Sequence, residues 1–497
     1  MANPVSGALR AYRMATISKH IFLNALDCHT RGWFLYNEMG VTGPTPAELI
    51  RMRQGQEIHR MARELLPEGV FVGDLKAEKA IDRTRELLQD QGTPVLFEPY
   101  FKHGRCVTRA DSLSRRDDGW SLEEVKSSLG QNPEHLVDMA YTTMVMQGAG
   151  VPIREVMLTL VNKEYRHGSS EVPLLWSVDV TEEVFDRAAE FEALRPEIEA
   201  ALTPPECPGA TLIWACRGCE FFADQCVGKG VTDPIFEVPR IGAKKFSALL
   251  EHGVTEIAAV PSDFELSGHQ RRVVDSVQSW EMWVSDNLAE AIDAWEWPLL
   301  YLDFETVSTC LPLYDGLGPY NQIPTQYSLH IRSGVTGPLE HRDYLADGDE
   351  DCRREFAELL LADLGTDGNI VVYSSFEKTI LTRLQEWFDD LAYPLERVKE
   401  RLVDLQAIIK NHVWHPEFRG STSIKRTLPV LVPEMDYSDL QIANGDHASA
   451  AFYDMATGRI APSEQETTRA SLLLYCERDT LAMVKLHDAL VNVAVSE

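Results

Sequence analysis

Arg109-Ala110-Asp111, an Asp117-Asp118-Gly119 turn, then Trp120-Ser121-Leu122-Glu123-Glu124-Val125-Lys126-Ser127-Ser128: the reading of this run decides the fold of the first half of the chain. Side chains alternate along a strand, so Glu124 and Lys126 share a face. If the preceding strand pairs across the turn, Asp111 joins them. Two carboxylates so placed can hold Mg2+ or Mn2+ through oxygen. A neighbouring lysine can orient an attacking water whose pKa the metal lowers. The bland reading is a solvated hairpin with ordinary surface charges.

Outward from the hairpin, apolar periodicity predicts mixed α/β structure over residues 1–232. Helices are expected over 44–66, 77–91 and 134–147. Strands are expected over 94–101, 106–113, 120–127 and 156–162, with Glu98 on the first of these. Residues 233–290 read differently. Val238-Pro239-Arg240-Ile241-Gly242-Ala243-Lys244-Lys245, followed by Gly253-Val254, suggests two short helices joined by a glycine turn. A second α/β domain is expected over 291–497.

Nine cysteines are unevenly distributed, and in a cytosolic chain ligands, nucleophiles or core residues are expected before disulfides. Cys216-Arg217-Gly218-Cys219 and Cys226 form C-x2-C-x6-C. Thiolates at this spacing suit zinc or an iron–sulfur cluster. A fourth ligand is needed, and Cys28 is the candidate; His29 beside it keeps zinc open. Cys106, Cys207, Cys310, Cys352 and Cys476 read as structural.

The second domain opens on Pro298-Leu299-Leu300-Tyr301-Leu302-Asp303-Phe304-Glu305-Thr306, an apolar strand with both carboxylates on one face. Such a pair can share divalent metals. Downstream, Tyr475 and Asp479 are four apart and share one face of a helix. Between them, the stretch Ile370-Val371-Val372-Tyr373-Ser374-Ser375-Phe376-Glu377 reads as a strand entering a helix, with Glu377 at the junction.

The first constellation, with His59 on an upstream helix and Cys28 before it, resembles the RecB-like branch of the PD-(D/E)XK nucleases. That branch includes CRISPR-associated iron–sulfur exonucleases and AddB-type helicase–nucleases. The resemblance implies His59, Asp111 and Glu124 as metal ligands, Lys126 as the catalytic lysine, and Val125 adding its carbonyl. It also implies a [4Fe–4S] cluster on Cys28, Cys216, Cys219 and Cys226, stapling the two ends of the domain. The family's glutamine and tyrosine on the following helix are replaced here by Thr142 and Met146.

The second constellation resembles the DnaQ-like 3′–5′ exonucleases of the RNase H fold. That resemblance implies Asp303, Glu305 and Asp479 as metal ligands and Tyr475 as the residue orienting the nucleophilic water. Glu377 stands where the family has Asp. Asp404-Leu405 and Ser423-Ile424-Lys425 are also similar to that fold. The whole chain resembles a bacterial family joining both domains, through residues such as those at 323–330 and His415-Pro416-Glu417-Phe418. Residues 240–245 resemble a helix–hairpin–helix, in which Lys244 and Lys245 would contact phosphate without reading bases. Interdomain packing is the plainer alternative.

A formal charge of −30 argues against a broad DNA-coating surface. It does not argue against an active site, because carboxylates that bind cations add to the negative count. No apolar run reaches bilayer length. The first nineteen residues, with Arg10, Arg13 and Lys19, do not read as a signal peptide, so a cytoplasmic location is expected. No phosphate-binding G-x4-GK[ST] loop is visible, so unwinding would need a helicase partner. The expected function is a metal-dependent DNA nuclease, by resemblance an exonuclease, in repair, nucleic-acid processing or phage defence. The alternatives are a weakened nuclease that binds nucleic acid as a scaffold, or an RNA 3′–5′ exonuclease.

Overall fold

The computed structural model describes residues 16–39, 43–169 and 171–495; Arg10 and Arg13 lie outside them. The chain is mixed α/β and divides into two compact units. One comprises Met1–Lys229 with Cys310–Pro319, the other Gly230–Thr309 with Tyr320–Glu497.

In the first unit, α1 (Lys19–Asp27) starts at Ser18, whose hydroxyl accepts from Ile21 N, and α2 (His29–Tyr36) is capped by Cys28. α3 (Pro46–Glu64) begins with a reciprocal Thr45–Glu48 capping box and a proline at its first turn. There follow β1 (Val70–Phe71), α4 (Ala77–Gln89), β2 (Val95–Phe97), β3 (Tyr100–His103), β4 (Cys106–Arg109), β5 (Ser112–Arg116) and β6 (Gly119–Lys126). Then come α5 (Pro133–Gly148), β7 (Ile153–Val161), β8 (Leu175–Asp179), α6 (Thr181–Leu202) and the single turn α7 (Phe222–Gln225).

Six strands form one sheet in the order β1-β2-β5-β6-β7-β8, and β3-β4 form a separate hairpin. β5 and β6 pair antiparallel, with Ser112 opposite Glu123. The two long strands expected over 94–101 and 106–113 are each broken in two. Glu98 sits at φ +53° and the next residue, Pro99, has no N–H to give a ladder, so Glu98 lies between strands rather than on one. The second break falls at Ala110-Asp111 and leaves Asp111 at the very end of β5's pairing.

In the second unit, α8 (Gly242–Glu251) and α9 (Gly268–Ser279) precede β9 (Trp283–Val284), α10 (Leu288–Asp293) and β10 (Leu299–Val307). Next are β11 (Ile323–Arg332), β12 (Leu339–Leu345), α11 (Arg353–Leu364), β13 (Asn369–Val372), α12 (Phe376–Trp387), α13 (Ala392–Glu400) and β14 (Leu402–Asp404). The unit ends with α14 (Leu405–His412), β15 (Val413–Trp414), α15 (Ile424–Leu431), α16 (Gly445–Ala456) and the long α17 (Pro462–Val495).

Its sheet runs β12-β11-β10-β13-β14, antiparallel on one side of β10 and parallel on the other. Alternation along β10 sends Leu300, Leu302 and Phe304 into one core and Leu299 and Tyr301 into another. Asp303 and Glu305 are in phase with Tyr301, so they share the face that α17 covers. Buried α17 residues Leu472, Tyr475, Cys476, Asp479, Thr480 and Met483 recur at helical spacing, which fixes the helix's inner stripe.

Residues 233–290, read from sequence as a helical linker, fall inside this unit, and Val273 and Leu288 contribute to its core. The anticipated helix pair is incomplete: before α8 stands only a 3-10 turn, Ile235–Glu237, with Arg240 at positive φ between them and Gly242, also at positive φ, opening α8. Among the described residues, no helix is long and apolar enough to cross a membrane.

Candidate metal and cluster sites

The first constellation assembles. Val125 N donates to Asp111 Oδ2 at 2.7 Å, so the loose end of β5 is tied to β6 through the carboxylate itself. His59, from α3, brings Nδ1 to 3.6 Å from Asp111 Oδ1, and its ring also bonds the Val125 carbonyl. A cavity of about 10 Å³, lined by His59, Asp111, Ser112, Glu123 and Val125 among others, adjoins them. That is near the size of one water or ion.

Glu124 is 3 % exposed. Its Oε1 receives Lys126 Nζ at 3.0 Å and Lys19 Nζ at 3.1 Å, while its Oε2 is buried without a partner. Both lysines also reach Asp138 Oδ2, at 2.7 and 3.3 Å. Burial alone would raise the Glu124 carboxyl; the two ammonium groups outweigh it and hold it near about 2. Burial, and then the Glu124 charge, push Asp111 up to about 8. Burial lowers His59, leaving a neutral imidazole suited to ligation. The orphaned Glu124 oxygen and the unprotonated imidazole are the features a divalent cation would satisfy.

Sequence reading missed Lys19 and Asp138. Neither belongs to the D…E-x-K pattern, and each arrives from a separate helix. Thr142 and Met146 are fully buried, Thr142 bonding Thr108 at 3.2 Å, so the polar contribution of α5 to this site comes from Asp138.

Cys28, Cys216, Cys219 and Cys226 line a single pocket with Asp27, Arg31 and apolar neighbours. Amides of Arg31 and Ile213 point at the sulfurs of Cys28 and Cys216, each at 3.5 Å. Burial raises the thiols of Cys216 and Cys219. The described residues contain two triads of donor atoms all within 4.8 Å of one another, and neither includes a cysteine. Tetrahedral zinc would draw its thiolates to roughly 3.8 Å from each other, given its ~2.3 Å bonds. Four cysteine thiols are a ligand set that fits zinc and an iron–sulfur cluster alike. Cys207, read as structural, is exposed yet feels the charges of Cys226 and Cys28, which puts a fifth thiol beside the four.

In the second unit Asp303, Glu305 and Asp479 bring one carboxylate oxygen each to within 4.8 Å of the others. Glu377, in the first turn of α12, is 2 % exposed and has a buried, unpartnered Oε2. Its charge acts on Asp303 and Glu305. Burial, and then mutual repulsion, raise Asp303 well above the usual carboxylate range and Glu305 to about 8. Burial, followed by Asp404, raises Glu377 to about 8. Burial raises Asp479 only to about 6, because tyrosine hydroxyls and Lys425 oppose it. Carboxylates that raise one another in this way form a cage suited to cations.

Tyr475 and Tyr437 both bond Asp479, the latter at 2.5 Å, and their rings lie 6.3 Å apart. Lys425 Nζ sits 5.6 and 5.8 Å from the two rings and donates to the Ala443 carbonyl at 2.7 Å. Tyr437 had no sequence signal. Cys476, read as structural, is fully buried against the cage and donates to Asp303 Oδ2 at 3.5 Å.

Lys245 lines a cavity of about 470 Å³ with Arg240, His269, Arg272 and Lys410; Lys244 is exposed and does not line it. Arg272 stacks on Trp283 at 4.7 Å. No ion pair to Arg240, Lys245, Arg272 or Lys410 occurs among the described residues, so four cations converge unneutralised in a strongly acidic chain. Sequence proximity identified only the Arg240–Lys245 side; α9 and α14 supply the rest.

Residues 300–423 match a family described as a domain of unknown function (DUF2779). The match begins in the strand of Asp303 and Glu305 and includes Glu377. The chain is also similar to uncharacterized proteins of Ureaplasma parvum, 25% identical over 207 residues, and of Mycoplasma pneumoniae, 25% identical over 206. These alignments cover 37% and 38% of this chain, and only 30% and 31% of the relatives' length.

Proposed function

We propose that the chain is a metal-dependent nuclease that hydrolyses the phosphodiester backbone of DNA, with a RecB-like first unit and a DnaQ-like second unit. The observation that carries the reading is the convergence of Asp303, Glu305 and Asp479 from a strand and a distant helix into one buried carboxylate cage. A divalent cation, Mg2+ or Mn2+, bound by these residues or by His59, Asp111 and Glu124, would supply an activated water and charge neutralisation at the phosphate.

The protein's own groups do the rest. Tyr475 and Tyr437 hold Asp479 in place and present hydroxyls at the edge of the cage. In the first unit Lys126 stays charged beside Glu124 and can orient water or stabilise developing negative charge. The basic cavity offers Arg240, Lys245, Arg272 and Lys410 to backbone phosphates, a contact that positions without reading sequence. The four cysteines lining one pocket support a [4Fe–4S] cluster, with zinc as the alternative.

A second reading, a nuclease-derived scaffold that binds without cutting, draws support from Glu377 replacing a shorter carboxylate. Labelled single- and double-stranded DNA and RNA, incubated with the full chain in Mn2+ or in EDTA, test both readings. Lys126→Ala, Asp303→Asn and the double variant assign any cleavage to one unit. Binding without metal-dependent cleavage on any substrate would favour the scaffold; faster digestion of RNA would make RNA the substrate.

A further inference from the structure

A second cluster of metal donors lies outside the carboxylate cage. His330 on β11, His341 on β12 and Glu477 on α17 each offer one ligand atom within 4.8 Å of the others. The two histidines are register partners on adjacent antiparallel strands, and their rings lie 4.6 Å apart.

The hydrogen bonds around them have a direction. His330 Nδ1 lies 2.8 Å from Thr480 Oγ1, Ser328 Oγ lies 2.7 Å from the same oxygen, and His341 Nε2 lies 2.9 Å from Ser328 Oγ. Thr480 in turn reaches the Glu477 carbonyl at 3.1 Å. One arrangement gives every contact a donor: both imidazoles donate, Ser328 donates to Thr480, and Thr480 donates to the helix carbonyl. That arrangement leaves a lone pair on His330 Nε2 and another on His341 Nδ1. Neither nitrogen has a hydrogen bond among the described residues; Asp343 Oδ2 lies 3.9 Å from His341 Nδ1, beyond hydrogen-bond distance. Fixing one ring nitrogen by a hydrogen bond and freeing the other is how proteins prepare histidine for a metal.

We infer that His330, His341 and Glu477 form a site for a borderline divalent transition metal, zinc foremost, separate from the Mg2+- or Mn2+-type cage. Two imidazoles and one carboxylate suit zinc and its first-row neighbours rather than the hard cations that all-oxygen cages select. The metal would cross-link β11 and β12 to α17, the helix that carries Tyr475 and Asp479. The site does not depend on nuclease activity.

The test uses the full chain, zinc as the probe in excess Mg2+, and elemental analysis after gel filtration. His341→Ala and Glu477→Gln should each lose one equivalent of zinc, or at least roughly tenfold in zinc affinity. Asp303→Asn should retain that equivalent. Cobalt distinguishes the site from the cysteines, since thiolate ligation gives intense near-ultraviolet charge transfer and imidazole–carboxylate ligation does not. Glu477 has no side-chain role in the hydrogen-bond chain, so Glu477→Gln should melt like wild type without metal; His341→Ala also loses the bond to Ser328, and if it misfolds, Glu477→Gln decides. Wild-type zinc content and affinity in folded Glu477→Gln and His341→Ala would overturn the site.

Discussion

Lys19 Nζ lies 3.1 Å from Glu124 Oε1, bringing a helix at the start of the first unit onto the central strand of its carboxylate site. Lys126 reaches the same oxygen, so Glu124 has two counter-ions where the sequence pattern supplies one. The redundancy separates chemistry from stability.

With Lys19 still neutralising Glu124, Lys126→Ala should fold normally. Its cleavage by the first unit, read in an Asp303→Asn background, should fall on the order of 100-fold or more. Removing both lysines leaves a buried carboxylate unpaired, and the double variant should lose about 3–5 kcal/mol of stability by denaturant titration. Equal stability of single and double variants would show that Lys19 is no partner; unchanged cleavage in Lys126→Ala would remove it from the mechanism.

The carboxylate cage sets a pH dependence. Folded Glu305 and Glu377 titrate near about 8 and Asp479 near about 6, all above the roughly 4 of an unfolded carboxyl. The folded chain then binds more protons than the unfolded chain between these values. Its contribution to stability is greatest at low pH and declines as pH rises from about 4 towards 8. In EDTA the melting temperature should therefore drop over that window, and less steeply in Asp303→Asn. Mn2+ or Mg2+ should raise it more at pH 8 than at pH 5.5, by mass action. A metal-induced rise independent of pH and of Asp303 would contradict the cage.

Protein purified without oxygen should be brown, and Cys219→Ser should bleach it. Because the ligands span residues 28 to 226, losing the cluster should also lower the first unit's melting temperature. Cys207→Ser should leave the colour intact if the neighbouring thiol is not a ligand. Colourless protein containing stoichiometric zinc at the cysteines would restore the rival assignment.

Nucleic-acid binding should depend on the basic cavity rather than on Lys244. Arg272→Ala and Lys410→Ala should each weaken binding uniformly across sequences and reduce the salt slope by about 1. Lys244→Ala should change it little. If all three variants behave alike, the cavity is not the phosphate site.

Local chemistry was legible in the sequence wherever residues close in the chain share an element. Alternation put Glu124 with Lys126 and Asp303 with Glu305; helical spacing put Tyr475 with Asp479; the C-x2-C motif identified its own pocket. These follow from fixed periods of strand and helix. Tertiary structure decided which distant groups complete each site, because packing of elements is not encoded in any local period. Lys19 and Asp138 come from helices that precede and follow the Glu124 strand in the chain, and Tyr437 comes from the segment between α15 and α16. Arg272 and Lys410 complete a cavity that the motif at 240–245 only begins, and His330 meets His341 only through strand register. The strand breaks at Glu98 and Ala110-Asp111 belong with these. A run of strand-compatible residues does not say where the ladder ends, and at Asp111 it ends where the carboxylate is needed to bind Val125 N.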